Sequence, residues 1–400
     1  MFKEIKEIRE TKEKQTPLII YGAGIVGQTM LSICQQEGVE IECFLDGSEK
    51  VAGTKIDGLE VVGPWDLKSK YPNALFLISV AAIKDVIDKL QELGYPNWIA
   101  GGTLLKGLDT SQPDPYLNHD RFAVENCILC HEGFINPTKL FIRSVDLIIT
   151  ERCSLKCKDC SNLMQYYEKP QNCDTEMLLR SIDTFCAVVD DIMDFRVIGG
   201  DAFMNKEWPA VVNRLTSEPK VRRVVLYTNG TIVPKEKDIE TLKNEKVLII
   251  ITDYGTLSRK LVNLRHLLEN SGISYHILKI VEWLDCSAIS PHRRTQEELK
   301  ELFKICCAKN MATLSDGKLF RCPYSANATR LKAVPNYEGD HIDLFKEPLD
   351  ETTKSRVKDY ILNKEYLDTC DFCDSRPLSG NEVQPAIQIK KPLPYRKFNK

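Results

Sequence analysis

The feature that most restricts how this chain can fold is a twofold alternation of short apolar runs with helix-like stretches. In the first round, Leu18-Ile-Ile-Tyr21 runs into Gly22-Ala-Gly24-Ile-Val-Gly27. A helical stretch to Gly38 follows, then an apolar run over 41–45 that closes at Asp46. Residues 59–62 and 74–80 repeat the strand pattern. Residues 83–93 place Ile83, Val86, Ile87, Leu90 and Leu93 at helical spacing. Residues 1–110 are therefore expected to form a doubly wound α/β unit, opened by a charged helix over 1–15 with Phe2, Ile5 and Ile8 on one side. A linker is expected over 111–139, its clearest part at 109–120, where Ser111, Pro113 and Pro115 stand among acids. The second round has apolar runs at 145–149, 195–198, 223–227, 247–251 and 273–278, the type buried on both faces of a sheet. Between them lie helices over 175–190, with Leu178, Ile182, Phe185 and Val189 on one face, and over 258–270. Strands alternating with helices predict a parallel sheet. The alternation stops near residue 300. A core is thus expected over 140–300, a small cysteine-rich domain over 301–380 and an extended basic tail over 381–400. No internal repeat is visible.

Composition excludes several classes. With 54 basic and 57 acidic residues the net charge is −3, so no overall positive field attracts nucleic acid or an anionic membrane. The longest apolar runs fall well short of the ~18 residues that span a bilayer. The start Met1-Phe-Lys-Glu-Ile-Lys-Glu-Ile has no apolar run of the kind that directs secretion. A cytoplasmic location is expected. Against that background the 15 cysteines stand out, because a reducing compartment does not use disulfide frameworks and clustered cysteines there signal metal or redox chemistry.

Cys153, Cys157 and Cys160 form C-x3-C-x2-C directly after the run 145–149. Three soft thiolates in one loop can hold three irons of a cubane cluster and leave the fourth open at the C-terminal edge of a parallel sheet. The alternative is a zinc site pairing Cys157 and Cys160 with Cys127 and Cys130. A second set, Cys307-x9-Gly317-x4-Cys322 followed by Cys370-x2-Cys373, can close a complete cluster with no open iron. Cys306 competes with Cys307 for the first position, and a four-cysteine zinc site is the alternative there. Cys34, Cys43, Cys173 and Cys186 lie in apolar or helical patterns and read as small buried hydrophobes. Cys127, Cys130 and His131 make a C-x2-C-H that reads as structural. Cys286 follows the last core strand, where a thiol can return a hydrogen atom to a substrate radical.

The stretch Ile149-Thr-Glu-Arg-Cys-Ser-Leu-Lys-Cys-Lys-Asp-Cys160 resembles the signature of radical S-adenosylmethionine enzymes. In that family a glycine-glycine-glutamate-like loop after the second strand meets the amino group of the cofactor. Here Gly199-Gly200-Asp201 follows 195–198, with aspartate replacing glutamate. Tyr227-Thr-Asn-Gly230 closes the next strand as the family's T-N-G segment does, which implies that Thr228 and Asn229 line the cofactor or substrate pocket. Asp159 departs from the aromatic residue that commonly packs on adenine. Cys307, Cys322, Cys370 and Cys373 resemble the ligands of a twitch subdomain, the shortened SPASM extension. The resemblance implies a partial (β/α)6 barrel, two [4Fe-4S] clusters, S-adenosylmethionine, and an electron donor of flavodoxin or ferredoxin type.

Gly22-x-Gly24-x-x-Gly27 lies between a strand and a helix, with Asp46 nineteen residues beyond Gly27. This spacing suits phosphate at the helix start and an acid on a ribose. The unit is Rossmann-like and resembles the N-terminal domain of bacterial sugar-nucleotide acetyltransferases. It is read as a nucleotide-sugar site, a nicotinamide site or a purely structural unit. Together the two resemblances imply oxidation or epimerisation of a sugar, sugar nucleotide or cyclitol, with dehydrogenation favoured. The rivals are a peptide-modifying SPASM-type enzyme and a non-catalytic iron–sulfur or zinc scaffold. The scaffold would have no need of an amino-binding loop such as Gly199-Gly200-Asp201.

Overall fold

Short, largely apolar strands make the first sheet, with Leu18–Tyr21 and Cys43–Leu45 buried throughout. The computed structural model describes residues 16–106, 119–377 and 380–398, and within it the chain divides into two units, Met1–Phe141 and Ile142–Lys400. The helix expected over 1–15 and most of the 109–120 segment lie outside the described residues.

In the first unit the order is β1 (Leu18–Tyr21), α1 (Ile25–Gln36), β2 (Cys43–Leu45), β3 (Lys55–Ile56), β4 (Leu59–Val62), α2 (Pro64–Lys70), β5 (Leu75–Ile78), α3 (Ile83–Glu92), β6 (Trp98–Ala100) and α4 (His119–Ile135). The sheet order is β3-β4-β2-β1-β5-β6. β4, β2, β1, β5 and β6 pair in parallel, with Ile20 beside Phe44 on one side and Leu77 on the other. Side chains alternate across the sheet. Leu18, Ile20, Phe44 and Leu77 pack with Met30 and Cys34 of α1 and Val124 and Cys127 of α4. Ile19, Cys43, Phe76 and Ile78 face Leu67 of α2 and Val86 and Leu90 of α3. Helices thus cover both faces of a parallel sheet.

The assignment of 111–139 to a linker needs correction, because α4 occupies much of it. Val124, Cys127 and His131, spaced i, i+3, i+7, are all buried, which makes the stretch a packed amphipathic helix. Its polar and proline-rich approach hides that stripe from a reading by composition.

The second unit contains β7 (Phe141–Thr150), α5 (Thr175–Val188), β8 (Asp191–Gly199), α6 (Trp208–Thr216), β9 (Val221–Thr228), β10 (Val247–Asp253), α7 (Leu261–Asn270), β11 (Tyr275–Lys279) and β12 (Trp283–Leu284). These are followed by α8 (Gln296–Ile305), β13 (Ala312–Ser315), β14 (Lys318–Phe320), α9 (Pro323–Arg330), β15 (His341–Asp343), α10 (Glu351–Asn363) and β16 (Glu382–Val383). The main sheet runs β11-β10-β9-β8-β7-β13-β14-β15. β8, β9, β10 and β11 pair in parallel, and β13 pairs in parallel with β7, Ala312 beside Val145. The segment beyond residue 300 therefore extends this sheet through the antiparallel β13-β14-β15 meander. Caps fix the flanking helices. Asp174 accepts from Met177 N at the start of α5, and Thr295 and Glu298 form a capping box on α8. No helix among the described residues is long and apolar enough to cross a membrane.

Candidate functional site

The C-terminal ends of β7, β8 and β9 converge. β7 stops at Thr150, whose carbonyl accepts from Gly200 N at 3.0 Å, while Arg152 O accepts from Asp201 N at 2.9 Å. This contact needs glycine. A Cβ on Gly200 would lie 2.2 Å from Arg152 O and 2.8 Å from Cys153 Cβ, and one on Gly199, at φ 154°, would lie 2.1 Å from Thr150 O. The glycine pair is thus the seat of the cysteine loop.

Asp201 is 1% exposed. Its Oδ1 accepts from Phe203 N at 3.1 Å, and its Oδ2 accepts from Thr228 Oγ1 and Asn229 N, each at 2.9 Å. Burial pushes its carboxyl up and the three donors pull it down, the balance lying above the ordinary value. Three donors leave the carboxylate about one acceptor position, so Asp201 ties the end of β8 to the end of β9. Asn229 then reaches the cysteine loop, donating from Nδ2 to Ser154 Oγ at 3.2 Å and to Cys153 Sγ at 3.5 Å. The Ser154 hydroxyl also pairs with Thr231.

Cys153, Cys157 and Cys160 lie in one apolar cluster with Leu155, Tyr254, Trp283 and Ala386. Burial raises all three thiols, Cys157 to about 11. A soft metal must displace their protons to bind. Among the described residues no three His, Cys, Asp or Glu side chains stand in a ready-made metal-holding arrangement. The donor chemistry and the glycine seat, however, fit a thiolate-held iron–sulfur group on this loop. Tyr254 and Trp283, edge to face at 5.6 Å, put aromatic surface beside the loop, where Asp159 offers none.

The second cysteine set lines one cavity. Its wall includes Cys306, Cys322, Cys370 and Cys373, with apolar Leu302, Phe303 and Met311. Cys286 stands on the same wall, as does Ser161, next to Cys160, so the two sets adjoin. Cys306 is on that wall and Cys307 is the next residue, its thiol hydrogen-bonded to the Cys306 thiol. Cys306 caps the end of α8 and bridges to Pro377, whereas the following turn starts at Cys307 and its N–H donates to Arg376 O at 3.0 Å. A hydrogen bond from Cys307, with backbone N–H groups assisting, holds the Cys306 thiol below its ordinary value, while burial raises Cys322, Cys370 (to about 12) and Cys373.

Backbone N–H groups point at two of these sulfurs, Ser325 to Cys322 at 3.4 Å and Ser375 to Cys373 at 3.3 Å. Arg294 donates to both carbonyls of the C-x2-C, Cys370 O and Cys373 O, each at 2.9 Å. Ser375 Oγ, buried on the cavity wall, has no hydrogen-bond partner among the described residues. An unpaired buried hydroxyl beside four thiols fits a group that accepts hydrogen bonds, as cluster sulfur does. Sequence reasoning missed Arg294, Ser375 and Asn229's contact with Cys153, all of which depend on distant pairings.

In the first unit the glycine turn is closed on itself. Gly22, at φ 109°, leaves no room for a Cβ beside Ser79, and one on Gly27 would lie 2.0 Å from Gly22 O. Asp46 accepts from Ala23 N and Ser48 N, both at 2.9 Å, so it braces the turn directly. His131 accepts from Gly102 N on Nδ1 at 2.9 Å, which leaves the proton on Nε2 to reach Val80 O at 2.9 Å. Both ring nitrogens are spent on backbone. Cys127 and His131 are a buried pin from α4 to the sheet, and burial lifts Cys34 to about 11 and Cys43 and Cys186 to about 12. Cys173 is only half-buried.

A family model described as C2185-like, N-terminal, matches residues 14–98. Curated relatives named GTP 3',8-cyclase are similar to shorter stretches. That of Stenotrophomonas maltophilia is 26% identical over 90 residues, 22% of this chain and 27% of the relative. That of Clostridium acetobutylicum is 28% identical over 115 residues, 27% of this chain and 35% of the relative. The chain thus spans about a quarter to a third of the length of the curated relatives it matches. Similar solved structures include BtrN in complex with AdoMet and 2-DOIA, at 16% identity and a TM-score of 0.38 over 63% of this chain and 100% of that one. anSMEcpe with bound AdoMet and a Cp18Cys peptide gives 14% identity and a TM-score of 0.36 over 61% and 93%. Streptococcus suis SuiB bound to S-adenosylmethionine gives 14% and 0.32 over 71% and 59%.

Proposed function

We propose that this chain, which resembles radical S-adenosylmethionine enzymes, is itself one of them and acts on a sugar, sugar nucleotide or cyclitol by hydrogen abstraction. The observation that carries the reading is the convergence of the cysteine loop, Gly200, Asp201 and Asn229 at the ends of three successive strands. When bound, a [4Fe-4S] cluster and S-adenosylmethionine would supply one-electron reductive chemistry able to abstract a substrate hydrogen. Cys153, Cys157 and Cys160 would hold the cluster. The remaining acceptor position of Asp201 would take the cofactor's ammonium. Thr228 and Asn229 fix Asp201 and the cysteine loop in one frame. Tyr254 and Trp283 exclude water and offer ring surface.

The main sheet would be a partial (β/α)6 barrel, with a twitch-like extension after residue 300. Cys306, Cys322, Cys370 and Cys373 would hold an auxiliary cluster that accepts an electron. An external flavodoxin or ferredoxin would supply the first electron. The Rossmann-like first unit is read by itself as a structural unit or a nucleotide-sugar site near Gly22, Gly24, Gly27 and Asp46, where Asp46 braces the turn.

The outcome of abstraction depends on how the substrate radical is quenched. Oxidation by the auxiliary site gives a product lighter by two hydrogens. Return of hydrogen from Cys286, which lines the same cavity, gives a mass-neutral epimer. We favour oxidation, because four thiols are committed to a possible acceptor. Product mass from candidate sugars and cyclitols, under anaerobic conditions in deuterated water, tests this. A singly deuterated, otherwise mass-neutral product lost in Cys286→Ala would reverse the choice.

A further inference from the structure

The C-terminal segment, expected as a plain tail, is strapped across the cysteine loop. Residues 387–389 run antiparallel to 156–158. Lys158 N donates to Ile387 O at 2.7 Å, Ile389 N donates to Lys156 O at 2.8 Å, and Gln388 stands opposite Cys157. The Gln388 side chain closes on the same residues. Its Oε1 accepts from Lys156 N at 2.8 Å, and its Nε2 donates to Cys157 Sγ at 3.2 Å and to Ala386 O at 2.8 Å. The amide orientation follows, since one end faces an N–H and the other a carbonyl.

The strap is anchored beyond this point. Leu393 N donates to Gln165 O and Phe398 N to Lys332 O. Tyr395 meets Tyr166 edge to face at 5.7 Å, and Phe398 meets Phe372 at 5.7 Å. Ala386 is buried beside the cysteines at φ 56°. That left-handed conformation is strained for a non-glycine residue and persists only where its surroundings dictate it.

We infer that Gln388 is a positioning residue for the cysteine loop, a donor carried by the strap that orients the Cys157 sulfur and stabilises its metal-bound, anionic form. The inference rests on the reading that this loop holds a cluster. A donor to a ligand sulfur fixes ligand geometry and favours the more negative, reduced state of the group it holds.

The test compares wild type with Gln388→Leu, which removes all three side-chain bonds, and Gln388→Glu, which keeps the acceptor for Lys156 N but sets an anion beside the sulfur. Three quantities are read on the whole chain. They are loss to a chelator of the iron whose electron paramagnetic resonance signal shifts with S-adenosylmethionine, the reduction midpoint of that signal, and alkylation of Cys157 by iodoacetamide in the metal-free protein. In Gln388→Leu, iron loss should be about tenfold faster, the low end of outer-shell effects. The midpoint should move to more negative values, and Cys157 should alkylate more slowly relative to Cys153, because the reacting thiolate loses its donor. Gln388→Glu should move the midpoint further in the same direction. Wild-type values for all three readouts in Gln388→Leu would overturn the inference. Absence of iron from the loop in wild type would instead overturn the cluster reading, and the metal-free alkylation would still decide whether Gln388 holds Cys157.

Discussion

Cys306 and Cys307 are neighbours with different surroundings: Cys306 lines the second cavity, while the Cys307 backbone N–H donates to Arg376 O and its thiol hydrogen-bonds to that of Cys306. Cys306→Ala should reduce reconstituted iron from roughly eight to about four per chain, and Cys307→Ala should leave it unchanged. Iron assay decides between them, and the opposite result would return the ligand role to Cys307. His131 illustrates the structural side of the cysteine chemistry. Burial lowers its imidazole below the ordinary 6.5, so the unfolded chain takes up a proton before the folded one does. Stability is then complete above about 6.5 and is lost as pH falls below it. Thermal unfolding of the first unit should shift to lower temperature from about pH 7 to about pH 5, and His131→Gln should flatten that slope. A flat profile in wild type would show that His131 titrates freely. Neither assignment is legible in sequence, because adjacent cysteines and a C-x2-C-H look alike until backbone partners such as Gly102 and Val80 are known.

At the scale of elements, the loops after β7, β8 and β9 stand or fall together. Gly200→Ala must move Arg152 or Cys153, since its Cβ would sit inside van der Waals contact with both. Overpacking of this kind costs about 1–3 kcal/mol. The variant should fold yet lose iron from the cysteine loop faster than wild type, as read by chelator challenge, and unchanged retention would mean that the loop is not seated on the glycine pair. Strands β7 to β10 were readable from apolar runs such as Val247 to Ile251, with all five residues buried, whereas β11, expected to be buried on both faces, is a part-exposed strand at the sheet edge. β13 was not readable, since Thr313 and Ser315, although buried, interrupt the apolar pattern. The strap was not either, because Gln388 meets Cys157 across 231 residues and no local signal marks that pairing.

For the whole molecule, the two-unit division follows from two rounds of strand–helix alternation, each with its own core. The motif C-x3-C-x2-C, the glycine pair and the T-N-G segment stood in the sequence in the order in which the fold brings them together. Their geometry, with Asp201 spent on three internal donors, required the tertiary structure. The claim on which the account depends is that the loop at Cys153, Cys157 and Cys160 holds a cluster that cleaves S-adenosylmethionine. The most direct measurement is 5′-deoxyadenosine formation by the anaerobically reconstituted, dithionite-reduced chain, with iron counted on the same samples. The account predicts 5′-deoxyadenosine and roughly eight irons for wild type, and no 5′-deoxyadenosine with about half the iron when all three cysteines are replaced by Ala. Undiminished 5′-deoxyadenosine formation by that triple variant would contradict it.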